Sequence, residues 1–193
     1  MKIVEPGDRA PAPGALRLVQ RFVNTNDLET GPDLLPDAAA LRTWFAEAGL
    51  GDVPVSDDDH ARAIALREAI RELVSAHAGL PHDPAAASIV NEAGRRAGLR
   101  PVLEDPATRF EPAAGGADGA LGHVVAAIHA AVAEGTWERL KACERDVCRW
   151  AFYDHSKNRS SRWCSMSGCG NRAKAAAFRE RRRRPRASRA TSG

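Results

Sequence analysis

Cys143-Glu144-Arg145-Asp146-Val147-Cys148 and Cys164-Ser165-Met166-Ser167-Gly168-Cys169-Gly170-Asn171-Arg172 hold all four cysteines of the chain. The spacing is C-x4-C-x15-C-x4-C, two equal pairs flanking one intermediate loop. Tetrahedral Zn2+ takes four thiolates at about 2.3 Å, and two short cysteine loops brought together supply them with no position left for water. One structural zinc is therefore expected at Cys143, Cys148, Cys164 and Cys169. A closed shell of this kind builds structure and does not catalyse. Two other readings compete with it. Disulfides need an oxidising compartment, and Met1-Lys2-Ile3-Val4-Glu5-Pro6-Gly7 has no apolar h-region that could export the chain, so a cytoplasmic location is expected. Four unrelated thiols would not be confined to one short segment of a 193-residue chain.

Directly after the fourth cysteine, Gly170 suits a turn with positive φ. Asn171 suits an N-cap for a helix beginning near Arg172, because Ala173, Lys174, Ala175, Ala176 and Ala177 are good helix formers. Asn171 and Arg172 either brace the site or reach a partner.

Cys169-Gly170-Asn171-Arg172 resembles the signature of the bacterial CGNR zinc-finger family. The likeness continues through Cys148-Arg149-Trp150-Ala151-Phe152-Tyr153-Asp154 and through Asn158-Arg159-Ser160-Ser161-Arg162-Trp163-Cys164-Ser165-Met166. The resemblance implies a DNA-binding finger of a transcription regulator, preceded by a helical, ligand-sensing domain called ABATE. Phe22-Val23-Asn24-Thr25 is similar to the stretch that opens an ABATE-type domain. Asn24 and Thr25 either end the first helix through side-chain to backbone bonds or contact a ligand, in a pocket expected near Trp44.

Charge is divided unevenly along the chain. Residues 1–140 carry 13 basic and 21 acidic side chains, a formal −8, whereas residues 141–193 carry 15 basic and four acidic, a formal +11. Zinc with four thiolates would lower the second figure by about two, still a dense positive field on an acidic body. That asymmetry points to a polyanion partner. Composition is otherwise that of a globular protein, 44% hydrophobic and 27% charged, and no apolar run approaches about 18 residues, so no membrane partner is expected.

Three divisions are expected: a sensor domain over 1–136, a zinc finger over 137–184 and a disordered basic tail over 185–193. The fold class is mainly α with a short β-hairpin (α+β) in the N-terminal domain, plus a small C-terminal treble-clef-like four-cysteine finger. Leu16, Val19, Phe22 and Val23 form one helical stripe. Asp37 can cap a second helix through Leu41, Trp44 and Phe45, and Ser56-Asp57-Asp58-Asp59 opens a third whose acidic run is a cap rather than a metal site. A fourth covers Pro84 to Ala97. Arg100–Glu104 and Thr108–Glu111 read as a hairpin joined around Asp105-Pro106, and a long helix runs from about Gly119 to Glu134. In the finger, Arg149–Tyr153 is expected to pair with Arg162–Cys164, and Trp150, Phe152, Tyr153 and Trp163 to supply the small core.

The nucleic-acid case rests on where the cations fall. Lys157, Arg159 and Arg162 decorate the inter-knuckle loop. On the final helix Lys174 joins Arg172, Arg179 and Arg183, the three arginines falling within about 40° of one another at 100° per residue. Such a row can track phosphates, and Asn171 or Arg172 could read bases. Structured RNA would fit the same face, and a protein-interaction finger or a small-molecule enzyme with a structural finger are the remaining alternatives. The six histidines, His155 between the knuckles included, make no HExxH, no deaminase signature and no nucleophile elbow, so catalysis is not expected. A regulator reading paired half-sites would be a homodimer, although no heptad run supports one.

Overall fold

Capping side chains fix where two of the principal helices begin. The computed structural model describes residues 9–104 and 107–183, in the order α1 (Leu16–Val23), α2 (Ala38–Glu47), α3 (Asp57–Ala76), α4 (Ala86–Arg96), β1 (Arg100–Glu104), β2 (Ala107–Glu111), α5 (Gly116–Ala133), β3 (Leu140–Ala142), β4 (Ala151–Tyr153) and α6 (Asn171–Arg183). The side chain of Asp37 accepts from the N–H of Ala40 to start α2, and Ser56 with Asp59 closes a reciprocal capping box at α3. Each satisfies an amide that the first helical turn leaves free. The described chain is about half helical, with two two-stranded antiparallel sheets, as the mainly α reading expects. The expected link at Asp105-Pro106 and the expected tail at 185–193 lie outside the described residues.

The stripe on α1 is buried, with Val19, Phe22 and Val23 fully inaccessible against α3 and α5. Helix α5 spans 18 residues at a mean hydropathy of 1.2, long and apolar enough by length and composition to cross a membrane, where the sequence reading expected no such run. Its Leu121, Val124, Val125 and Ile128 are buried in the same core as α1 and α3, which identifies it as a core helix.

The finger's strand pairing corrects the expected one. Ala151–Tyr153 pairs not with Arg162–Cys164 but with Leu140–Ala142, antiparallel, with Leu140 opposite Tyr153 and Ala142 opposite Ala151. Arg162–Cys164 is tied to the knuckle instead, the N–H of Glu144 donating to the carbonyl of Arg162 at 3.0 Å. Alternation explains the choice, because successive side chains of a strand face opposite ways. Leu140, Ala142, Ala151 and Tyr153 complete the core of the helical body, whereas Trp150 and Phe152 pack on the four cysteines.

That two-faced strand is held at its open edge by a side chain. Asn24 donates from Nδ2 to the carbonyl of Ala151 and accepts from its N–H on Oδ1, both at 2.8 Å. It stands where a third strand would stand. Gln20 adds a weaker bond to the same carbonyl at 3.3 Å. Nearby, the buried guanidinium of Arg71 donates to the carbonyls of Val23, Asn26 and Arg149, and Arg149 reaches back to Glu72 at 2.7 Å and to Ser75 at 2.9 Å. Body and finger therefore share side-chain hydrogen bonds to backbone as well as apolar core.

Asn24→Ala strips the Ala151 N–H of its buried partner and weakens the bonding of its carbonyl. The expected cost is about 2–3 kcal/mol of unfolding free energy, measured by urea denaturation of zinc-loaded protein. A loss below about 0.5 kcal/mol, the level of an ordinary surface change, would show that the edge needs no clamp.

Candidate functional site

Four separate backbone segments converge on the cysteine cluster. Cys143 follows β3, Cys148 precedes β4, Cys164 follows the loop beyond β4, and Cys169 lies in a wide turn, Met166–Gly170, that opens α6. All four are buried and free of disulfides, and their Sγ atoms lie within 4.8 Å of one another. Four thiolates about 2.3 Å from a central zinc form a tetrahedron with edges of about 3.8 Å. The Cys148–Cys164 and Cys164–Cys169 separations are 3.7 and 3.6 Å. Backbone amides of Arg145 and Cys164 point at Cys143, and that of Trp150 points at Cys148. Left to themselves the sulfurs compete for charge. Hydrogen bonds from Cys148 and Cys164 hold the Cys143 thiol far below its ordinary range, and Cys143 in turn pushes Cys148 and Cys164 up. A divalent ion is what allows all four to ionise together. The donor set, its spacing and its burial fit one structural zinc.

The residues after the fourth ligand act differently from the sequence expectation. Gly170 does not take positive φ and lies buried in the wide turn. Glycine leaves room there, since a Cβ would sit 2.9 Å from Sδ of Met166 and 3.1 Å from Cδ1 of Trp163, and those side chains would have to shift. Asn171 is helical itself and donates to the carbonyl of Ser167, so it caps nothing; Ser165 does, accepting from the N–H of Gly168. His155 stays outside the metal shell, its Nε2 near the carbonyls of Ala10 and Pro11.

The loop between the knuckles is organised by a buried ion pair that the sequence reading did not single out. Lys141 donates to Asp154 at 3.0 Å, as well as to the carbonyl of Arg159, and Asp154 accepts from the amides of Ser156 and Ser161. Burial works against the Asp154 carboxylate, yet the bonds from Ser156, Lys141 and Ser161 hold it well below the usual carboxylate range. The loop thus presents Lys157, Arg159 and Arg162 at the surface, with Arg159 beside Glu138 and Arg162 paired with Glu144.

Helix α6 has no buried residue, and Lys174, Arg179 and Arg183 are exposed on it. Arg145, Arg172 and Arg179 line one groove of about 440 Å³ whose remaining lining is Ala173, Ala175 and Ala176. Arg145 was not among the sequence candidates. Its position between two ligands gave no sign that it would bond Cys169 Sγ at 3.3 Å and face α6.

The three candidates for ligand contact point inward. Asn24 is spent on Ala151, and the Thr25 hydroxyl donates to the carbonyl of Phe22 at 2.8 Å. Trp44 packs on Phe22 with ring centres 5.1 Å apart, its Nε1 buried without a partner among the described residues. An apolar groove of about 410 Å³ lies elsewhere, between α3, α4 and α5, with Leu66, Ile89, Ala93 and Leu121 in its lining and Arg62, Glu92, Arg95, Arg96 and Asp118 at its polar edge.

Comparison with known families gives two matches. Residues 16–138 match the family described as "ABATE: Putative stress-induced transcription regulator", and residues 139–182 match the family described as "CGNR zinc finger". No curated protein matches the chain.

Proposed function

The chain belongs to the ABATE family and carries a CGNR zinc finger behind the ABATE region, and from that premise we propose that it is a transcription regulator whose finger binds duplex DNA. The stress response in the family's description is part of the same reading. The observation that carries it is α6. A helix that buries nothing is not there to complete a core, and this one follows the fourth zinc ligand directly and carries Arg172, Lys174, Arg179 and Arg183. Zinc fixes the root of the helix, and the loop cations Lys157, Arg159 and Arg162 extend the positive surface. In this reading the arginines and lysines hold phosphates, and Asn171 and Arg172, at the root of the helix, are the candidates for base contact.

Sensing belongs to the body, and the groove between α3, α4 and α5 favours it over the interior around Asn24, Thr25 and Trp44. Its floor is apolar. At its edge three arginines face two carboxylates, which suits a small molecule with an apolar body and one anionic group. A saturable rise in melting temperature with octanoate, abolished when Ala93→Trp fills the groove, is the expected outcome. A rise that survives Ala93→Trp would remove the groove from consideration.

For the finger, the expected result of Arg172→Gln with Arg179→Gln is weaker binding to a labelled duplex and a log–log salt slope shallower by about 0.9 for each phosphate no longer neutralised. Chelation of zinc should abolish specific retention. Binding that kept both its strength and its slope in the double variant would overturn the assignment of α6.

A further inference from the structure

Glu29 carries the body's negative charge to the root of the finger's basic helix. Its Oε1 accepts from Nη1 of Arg145 at 2.9 Å and from Nη1 of Arg172 at 2.5 Å, and its Oε2 accepts from Arg145 at 2.9 Å. The turn that bears it is tied in place from both ends. Asp27 accepts from the amides of Glu29 and Thr30 and from the Thr30 hydroxyl, and Asn26 bridges to Asp33. Arg71 holds the carbonyl of Asn26, and Arg67 grips Asp33 with two bonds of 2.7 Å. The Glu29 side chain is only 21% exposed, so this is a seated carboxylate and not a loose surface acid. Arg145 is anchored from behind by Cys169 Sγ.

The receiving surface has the shape of an anion site. Arg145, Arg172 and Arg179 line one groove with three alanines, small side chains that leave room for a bulky anion to approach the guanidinium groups. Guanidinium forks bind a carboxylate and a phosphate with the same geometry. A carboxylate that engages two of these three guanidinium groups, as Glu29 engages Arg145 and Arg172, stands in for a phosphate oxygen pair.

We propose that Arg145, Arg172 and Arg179, which share this groove, bind a backbone phosphate of duplex DNA, and that Glu29 holds Arg145 and Arg172 in the free protein as an internal substitute for that phosphate. The inference rests on the DNA-binding reading above, to which it adds Arg145 as a contact residue and Glu29 as a restraint on affinity. Binding then exchanges one anion for another at this point, so the two arginines contribute little net affinity until the turn at Asp27–Thr30 moves aside. The restraint is connected to the rest of the body. Helix α3 holds the turn through Arg67 and Arg71 and lines the apolar groove through Arg62, Ala65 and Leu66.

The test is anisotropy of a labelled duplex with zinc-loaded full-length protein across a salt series, comparing wild type, Glu29→Gln and Asp146→Asn. Asp146 is an exposed acid in the same knuckle and reports the general effect of removing one negative charge. Glu29→Gln is expected to bind about 5–10-fold tighter, with a salt slope steeper by about 0.9, and Asp146→Asn less than about 2-fold tighter. Placed in an Arg145→Gln or an Arg172→Gln background, Glu29→Gln should lose its advantage over Asp146→Asn. Zinc content and melting temperature are measured for each variant, and the Arg172→Gln background serves if Arg145→Gln loses metal. If Glu29→Gln binds no tighter than Asp146→Asn while wild-type binding still falls with Arg179→Gln, the restraint is overturned and the DNA reading stands. If no protein in the series binds the duplex, both fall together.

Discussion

A three-residue strand with two buried faces holds the molecule together. Ala151 and Tyr153 of β4 lie in the core of the helical body, Trp150 and Phe152 lie against the cysteine cluster, and Asn24 closes the strand's free edge. A cysteine cluster of this size buries too little apolar surface to stand alone and depends on metal for its fold. Here it also depends on the body, because removing the body would uncover Leu140, Ala142, Ala151 and Tyr153 together. Zinc and body therefore stabilise the same hairpin from opposite sides. Arg9 adds a further tie, donating to the carbonyls of Trp163 and Cys164 while its guanidinium lies 4.7 Å from the centre of the Phe152 ring.

Charge is used in two different ways along this junction. Inside, Arg67 and Arg71 are almost wholly buried and share Glu68, and their remaining donors go to Asp33, Thr25 and backbone carbonyls. Burying two guanidinium groups is costly unless each donor is met, and meeting them fixes the end of α1, the 26–33 turn and the left-handed Arg149 in one arrangement. Outside, Arg172 pairs with Glu29, and Lys174, Arg179 and Arg183 of α6 are exposed. Glu29 stands at the boundary, held by the inner network and facing the outer one.

The parts of this arrangement that were legible in the sequence were the local ones. The zinc cluster followed from spacing, and the capping residues Asp37 and Ser56 announced their helices because both signals act within one turn of chain. The hairpin partner of β4 was not legible in this way. Leu140–Ala142 and Arg162–Cys164 are both short and partly apolar, and only the presence of a second core, the body's, decides between them. The same blindness affected Asn24, whose amide bonds Ala151, 127 residues away, whereas Thr25 makes the helix-end bond, to the carbonyl of Phe22, that its position suggests. Nothing local marks Arg67 and Arg71 as buried, because Thr25, Asp33 and Arg149, which meet their donors, lie 34 to 78 residues away along the chain. Gly170 illustrates a subtler case, in which the residue leaves room for Met166 and Trp163 rather than supplying a positive φ.

In the proposed function, α6 is a surface for DNA raised on a finger that is fused to the body. Amide hydrogen exchange of the zinc-loaded protein, with and without duplex DNA at low salt, addresses that claim directly. Because α6 buries nothing, its amides should exchange quickly in the free protein and slow on binding, while those of β4 stay protected throughout. Slowing in residues 171–183 with an unchanged β4 is the predicted result. Exchange in 171–183 that ignores the duplex, or a β4 that opens while the body helices remain closed, would contradict it.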